Sequence, residues 1–287
     1  MKIKSTKYIL LFLLLVALIV WFGVLATGGK KLHLIACDVG QGDAILATLG
    51  DIQILTDGGA SNKVLDCLGR HMPFWDREIE LVILTHPDKD HFKGLIEVFR
   101  RYKVDNFLSN GLQSGSLEYQ VLINEVGGRG TKTILGKEGT VLGVGKMRLD
   151  ILSPTEEQLG SLPTKTVEKN EYSLVSLLRF GSFDALLTGD VENEAADNLA
   201  DRIMATENET IEYIKVPHHG SKNGLTPKLL EAVMPKLAVI SVGNNSYGHP
   251  SEETLKILGD DDTKILRTDQ LGDVEVISDG EKFFVKN

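Results

Sequence analysis

The chain has 287 residues, of which 42% are hydrophobic and 25% charged, with a formal net charge of −9. Such a composition excludes a disordered tail, a collagen-like fibre and a disulfide-stapled miniprotein, and the length permits a full core with an internal site. The first 26 residues hold three lysines and no acid, so the rest carries 28 basic and 40 acidic residues, a net of −12 that excludes a protein coating nucleic-acid phosphates with its own surface.

Tyr8 to Ala26 is a run of 19 residues without charge, flanked by lysines. A helix of that length crosses a hydrocarbon core about 30 Å thick, so residues 1–29 are expected to form one N-terminal transmembrane helix. Val24-Leu25-Ala26 offers the alternative of a cleaved signal segment. Lys2, Lys4 and Lys7 before the run, against Lys30 and Lys31 after it, favour a body outside the cytoplasmic membrane, anchored or secreted.

From here short strands and helices alternate. Leu32 to Ala36, Ala44 to Leu49 and Ile52 to Leu55 read as strands joined by glycine turns, Asn62 to Arg70 as a helix, Leu81 to Leu84 as a buried strand and His91 to Tyr102 as a helix. Gly111 to Val144 is less regular. Met147 to Leu152, Ser173 to Phe180, Asp184 to Leu187, Ile211 to Val216, Leu237 to Val242, Lys264 to Arg267 and Val274 to Ile277 continue as strands, with Glu192 to Met204, Leu225 to Val233 and Ser251 to Leu258 between them. No linker divides the body, so residues 30–287 are expected to be one α/β (α+β) domain of two packed sheets with helices outside. Cys37 and Cys67 are the only cysteines; an exported protein could pair them, but the apolar setting of Cys37 predicts buried free thiols.

The densest chemistry is Thr85-His86-Pro87-Asp88-Lys89-Asp90-His91, at the end of a strand. A helix start needs one capping residue, whereas four imidazole or carboxylate side chains in six positions suit a divalent metal. Thr188-Gly189-Asp190, His218-His219-Gly220-Ser221 and Asp57-Gly58-Gly59 follow other strands. Taken singly, each aspartate reads as a turn former or cap, whereas the histidine pair leans to function; together with the first cluster they point to one centre. Asp38-Val39-Gly40-Gln41-Gly42-Asp43 reads as a glycine hairpin, and His249 lies in the loop Tyr247-Gly248-His249-Pro250.

These motifs, in this order, resemble the metallo-β-lactamase superfamily, and within it the hydrolase domain of the ComEC-type DNA-internalisation competence proteins. The resemblance covers about residues 31 to 285. It implies a metallo-β-lactamase-like αββα sandwich with two divalent metal ions, Zn²⁺ or Mn²⁺, at one sheet edge. His86 and Asp88 would serve the first ion, Asp90, His91 and His219 the second, and Asp190 both. His218 would face the substrate, with the adjacent histidines open to exchange of roles. No histidine lies between His91 and His218 to complete the first site, where Asn170 would stand in. Asp57 would orient a ligand from behind, and His218 and His249 would steady a phosphate oxygen or protonate a leaving group.

The function expected is a phosphodiesterase or nuclease that works through a metal-activated hydroxide on a phosphodiester or nucleic-acid substrate, in the setting of competence and DNA uptake. Alternatives are hydrolysis of a small ester, lactone or wall phosphorylcholine, and a weakly metallated, non-catalytic binding scaffold.

Overall fold

The computed structural model describes residues 2–26, 31–160, 169–206, 210–260 and 263–286. Helix α1 (Lys2–Ala26) is followed by β1 (Leu32–Ala36), β2 (Ile45–Leu49) and β3 (Ile52–Thr56), an antiparallel meander. Next come α2 (Lys63–His71), β4 (Glu78–Leu84), the short α3 (Lys89–Phe92), α4 (Leu95–Arg101), β5 (Lys103–Ser109), α5 (Leu117–Gly128) and β6 (Lys132–Leu135), with β3 to β6 parallel. The second half contains β7 (Val141–Val144), β8 (Met147–Ser153), α6 (Glu156–Gly160), β9 (Val175–Phe180), β10 (Phe183–Leu187), α7 (Asn193–Thr206), β11 (Tyr213–Lys215), α8 (Pro227–Val233), β12 (Leu237–Ile240), α9 (Glu252–Asp260), β13 (Lys264–Arg267), α10 (Thr268–Leu271), β14 (Val274–Ser278) and β15 (Phe283–Lys286).

Two mixed sheets result, one in the order β15-β14-β1-β2-β3-β4-β5-β6 and one in the order β13-β12-β11-β10-β9-β8-β7. Alternation along the strands builds three layers of core. Leu32, Leu34 and Ala36 of β1 meet Ile45 and Ala47 of β2 and Phe183, Ala185 and Leu187 of β10 between the sheets. Their neighbours Ile35 and Leu46 face Val64, Leu68 and Phe99 on α2 and α4. Leu186 and Ile214 face Leu199 and Leu229 on α7 and α8. This is an αββα sandwich, because each strand's period of two supplies one apolar face to the partner sheet and one to a helix layer.

Three expectations change. The helix expected over His91 to Tyr102 is broken into α3 and α4 at Lys93 and Gly94. A Cβ on Gly94 would lie 1.9 Å from the carbonyl oxygen of Gly58, so the break lets two loops pack backbone to backbone. The stretch from Gly111 to Val144 holds α5, β6 and β7, with Ser116 capping α5 by accepting from Tyr119 N–H. Cys37 and Cys67 are joined in a disulfide with their Cα atoms 5.8 Å apart, where free thiols are expected from sequence. Cys37 directly follows β1 and packs in the core layer under α2, and Cys67 lies on that helix, a proximity that an apolar strand pattern does not encode.

Helix α1 spans the whole run predicted to cross a membrane, and Tyr8, Leu11, Phe12 and Ile19 are more than 60% exposed. Among the described residues, however, no helix is long and apolar enough to cross a membrane. Gly28, Gly29 and Lys30, where the anchor is expected to end, lie outside the described residues.

Candidate metal centre

The centre forms where loops leave β1, β3, β4, β10 and β11 on the same edge of the sandwich. Backbone bonds stitch the first three: Gly59 N–H donates to Asp43 O at 2.8 Å, Gly58 N–H to His91 O at 2.7 Å and Asp43 N–H to Asp90 O at 3.2 Å. Gly42 permits the last, since a Cβ there would meet the carbonyl oxygen of Asp90 at 2.2 Å. Among the described residues five non-glycines have positive φ, and three of them, Asp57, His218 and His219, lie here. Left-handed backbone at such residues costs about 1–3 kcal/mol each and persists where the surroundings enforce it.

Three histidines are held from behind. His91 Nδ1 faces Asp57 Oδ2 at 2.8 Å, His219 Nδ1 faces the Ser241 carbonyl at 2.9 Å and His86 Nδ1 faces Thr85 Oγ1 at 3.1 Å. Asp57 also accepts from Thr85 N–H at 2.9 Å and Thr85 O–H at 2.7 Å, so one carboxylate orients the loop and the ring together. With each Nδ1 occupied, each Nε2 turns toward a single oxygen, Asp190 Oδ2: His91 at 3.1 Å, His219 at 3.4 Å and His86 at 4.0 Å. His86 Nε2 and His219 Nε2 are buried without a hydrogen-bond partner. Orphaned buried imidazole nitrogens around a carboxylate suit a divalent cation, and the donor set of nitrogen and oxygen suits zinc.

The other expected residues lie close by. Asp88 Oδ2 is 3.6 Å from His86 Nε2, and Asp90 Oδ2 is 3.4 Å from His219 Nε2. His218 is held from another side: its Nδ1 meets Glu192 Oε1 at 2.5 Å, and its Nε2 also faces Asp190 Oδ2, at 3.7 Å. His249 packs edge-on against His218 with ring centroids 5.3 Å apart and keeps a buried Nδ1 without a partner. Asn170 hydrogen-bonds Glu192 through its side chain. Asp88, Asp90, Asn170, His218, His219 and His249 line one cavity of about 590 Å³.

Three participants were not identified from sequence. Lys215, 1% exposed, ends β11 and pairs with both Asp43 and Asp190 while donating to Gly189 O at 2.8 Å. Glu192 holds His218, and Lys169 donates to Asp88. The one signal for Lys215 is a charge in an apolar run three positions ahead of a histidine pair.

Electrostatics follow from burial set against pairing. Burial acts to raise the Asp190 carboxyl, but His219, His91 and Lys215 outweigh it and hold it well below the usual range. Asp43 is lowered in the same way, with Lys215 the main opponent of burial. Burial, reinforced by His91, brings His86 down to about 3, so its Nε2 keeps a free lone pair at neutral pH. Burial acts to lower His91 and His219, yet the surrounding carboxylates raise both well above the ordinary imidazole value. Asp57 is raised, chiefly by burial.

No family model matches the chain. In sequence it is similar to ComE operon protein 3 of Bacillus subtilis, 28% identical over 258 residues covering 83% of this chain and 32% of that protein. It is also similar to Recombination protein 2 of Haemophilus influenzae, 29% identical over 244 residues covering 83% of this chain and 28% of that protein. The chain thus spans about a third of the length of the curated relatives it matches. In structure it is similar to YhfI of Bacillus subtilis, described as a metallo-β-lactamase fold protein, with TM-score 0.56, 13% identity and coverage of 85% of this chain and 99% of that one. Tm1679, described as a metal-dependent hydrolase of the β-lactamase superfamily, matches with TM-score 0.53, 16% identity and coverage of 83% and 95%. The chain has the metallo-β-lactamase fold, and its sequence resembles those of the competence proteins.

Proposed function

We propose that this chain of metallo-β-lactamase fold and competence-protein-like sequence is a metal-dependent hydrolase acting as a phosphodiesterase or nuclease. The observation that carries the reading is the convergence of three buried histidine Nε2 atoms on Asp190 Oδ2, two of them without a hydrogen-bond partner. His86, Asp88, Asp90, His91, Asp190 and His219 would hold two divalent ions. Zn²⁺, or Mn²⁺ in its place, would lower the pKa of water and offset the charge of a phosphoryl group.

The chain's own residues do the rest. Asp57 fixes the tautomer of His91, and the Ser241 carbonyl fixes that of His219, so both present Nε2 to the centre. Glu192 holds His218 Nδ1, leaving Nε2 on the cavity side to hold or deliver a proton at a leaving oxygen. His249, lowered by burial and by the neighbouring His218, stays neutral at pH 7 and offers an N–H rather than a charge. The names of the relatives speak of competence and recombination, which supports a nucleic-acid substrate, and the acidity of the body favours a single strand or chain end over a duplex lying on a broad surface.

The full chain loaded with Zn²⁺ or Mn²⁺ is expected to cleave bis-p-nitrophenyl phosphate and single-stranded DNA. Asp90→Ala should abolish this while circular dichroism stays unchanged. A folded, metal-loaded protein silent on both phosphodiesters but active on a lactone, thioester or phosphorylcholine ester would move the reading to that substrate. Substoichiometric metal by elemental analysis would favour a binding scaffold.

For α1 we infer a membrane anchor with the body outside the cytoplasmic membrane. The support for the anchor is the sequence alone: the uncharged run Tyr8 to Ala26 would extend about 28 Å as a helix, close to the roughly 30 Å of a hydrocarbon core. The Cys37–Cys67 disulfide supports an oxidising compartment.

A further inference from the structure

The two halves of the centre are not equivalent. On one side Asp90, His91 and His219 offer ligand atoms within 4.8 Å of one another, and Asp190 Oδ2 lies within 3.4 Å of both histidines. On the other side His86, His91 and Asp190 likewise offer ligand atoms within 4.8 Å of one another, and Asp88 Oδ2 lies 3.6 Å from His86 Nε2. The second oxygen of Asp88 is engaged: Lys169 donates to Oδ1 and also reaches Pro87 O at 3.4 Å. Lys169 opens the short 3-10 turn Lys169–Tyr172, which is pinned where Ser173 N–H donates to Asn170 O at 3.0 Å and Asn110 donates to Tyr172 O at 2.7 Å. The ammonium is thus presented from a fixed backbone. Among the described residues no lysine or arginine pairs with Asp90.

We infer that Lys169 is a built-in counter-ion to Asp88 that makes the two halves load unequally, one ion entering the Asp90 side first and a second entering the His86 side only against the Lys169 charge. The inference rests on the metal-centre reading above and deepens it by assigning an order to the two positions. An ammonium on one carboxylate oxygen takes up negative charge that a metal on the other would use, and the two cations repel across the shared group. On the Asp90 side the carboxylate faces His219 and, among the described residues, no ammonium or guanidinium, so no such counter-ion has to be displaced.

Calorimetric titration of Zn²⁺ into the metal-stripped full chain, with ions per chain counted by elemental analysis, tests this. The wild type should bind in two steps, and Lys169→Met should strengthen the second step alone by about tenfold or more, within the range seen when partners of metal ligands are altered. Lys169→Arg, which keeps the charge, should retain the wild-type pattern. Equal affinities in the wild type, or a second step unmoved in Lys169→Met, would overturn the inference and leave the centre standing. A chain that takes up no ion would overturn both.

Discussion

Lys215 Nζ lies 3.3 Å from Asp190 Oδ1, with both residues buried, while Asp190 Oδ2 faces the histidines. The carboxylate is divided between the fold and the centre. Its inner oxygen is committed to a lysine that also neutralises Asp43, which fixes where the outer oxygen points.

Lys215→Met should therefore act on stability as well as on the centre. It would leave Asp43 and Asp190 buried without their cation, a loss of about 3–5 kcal/mol for a broken buried pair. Urea unfolding measures it; a midpoint within error of wild type would refute the pairing.

Asp57→Asn should spare the fold and damage the centre. Asparagine tolerates the φ of +60° at this position, but its amide would donate to His91 Nδ1 and push the ring N–H onto Nε2, the atom meant for a cation. Metal affinity should fall about 10–100-fold. Competition with a chelating dye reads the change, and unaltered affinity would sink the orienting role.

Replacing both Cys37 and Cys67 by serine should lower stability by roughly 3–4 kcal/mol, the loop-closure estimate for a separation of 30 residues. A reducing agent should shift the wild-type midpoint in the same direction and leave the double variant where it is. Equal sensitivity of the two proteins would count against the bond.

Asp273 couples stability to acid. It accepts from Asp38 N–H at 2.8 Å and Arg70 at 2.7 Å and meets His71 Nε2 at 2.9 Å. Burial acts to raise its pKa, and these three partners outweigh it, bringing it to about 2. A folded value below the unfolded one, about 3.9, means that the contribution is fully present above about pH 4 and is lost as pH falls toward 2. Partial solvent screening reduces it to about 1 kcal/mol. The stability gap between wild type and Asp273→Asn should shrink by that amount as pH drops through this window; a constant gap would contradict the assignment.

The framework and the cluster at the strand ends were legible because both are local. Leu32, Leu34 and Ala36 announce a strand by alternation, and His86, Asp88, Asp90 and His91 crowd six positions no cap would need. The rest depended on distance in three dimensions. That both His218 and His219 bring Nε2 toward Asp190 depends on left-handed backbone at the two positions, which residue type does not reveal. Glu192 and Lys169 matter through His218 and Asp88, partners 26 and 81 positions away. The break at Gly94 answers to Gly58 on another loop, and the disulfide to the crossing of α2 over the end of β1.

Strand β1 also sets a height. Leu32 pairs with Leu49 and Ser278 at one edge of the sandwich, and Ala36 pairs with Ile45 and Val274 at the edge that carries Asp43 and the histidines. The chain enters from α1 at the first edge, so the reacting groups stand one strand, roughly 17 Å, beyond the point of entry.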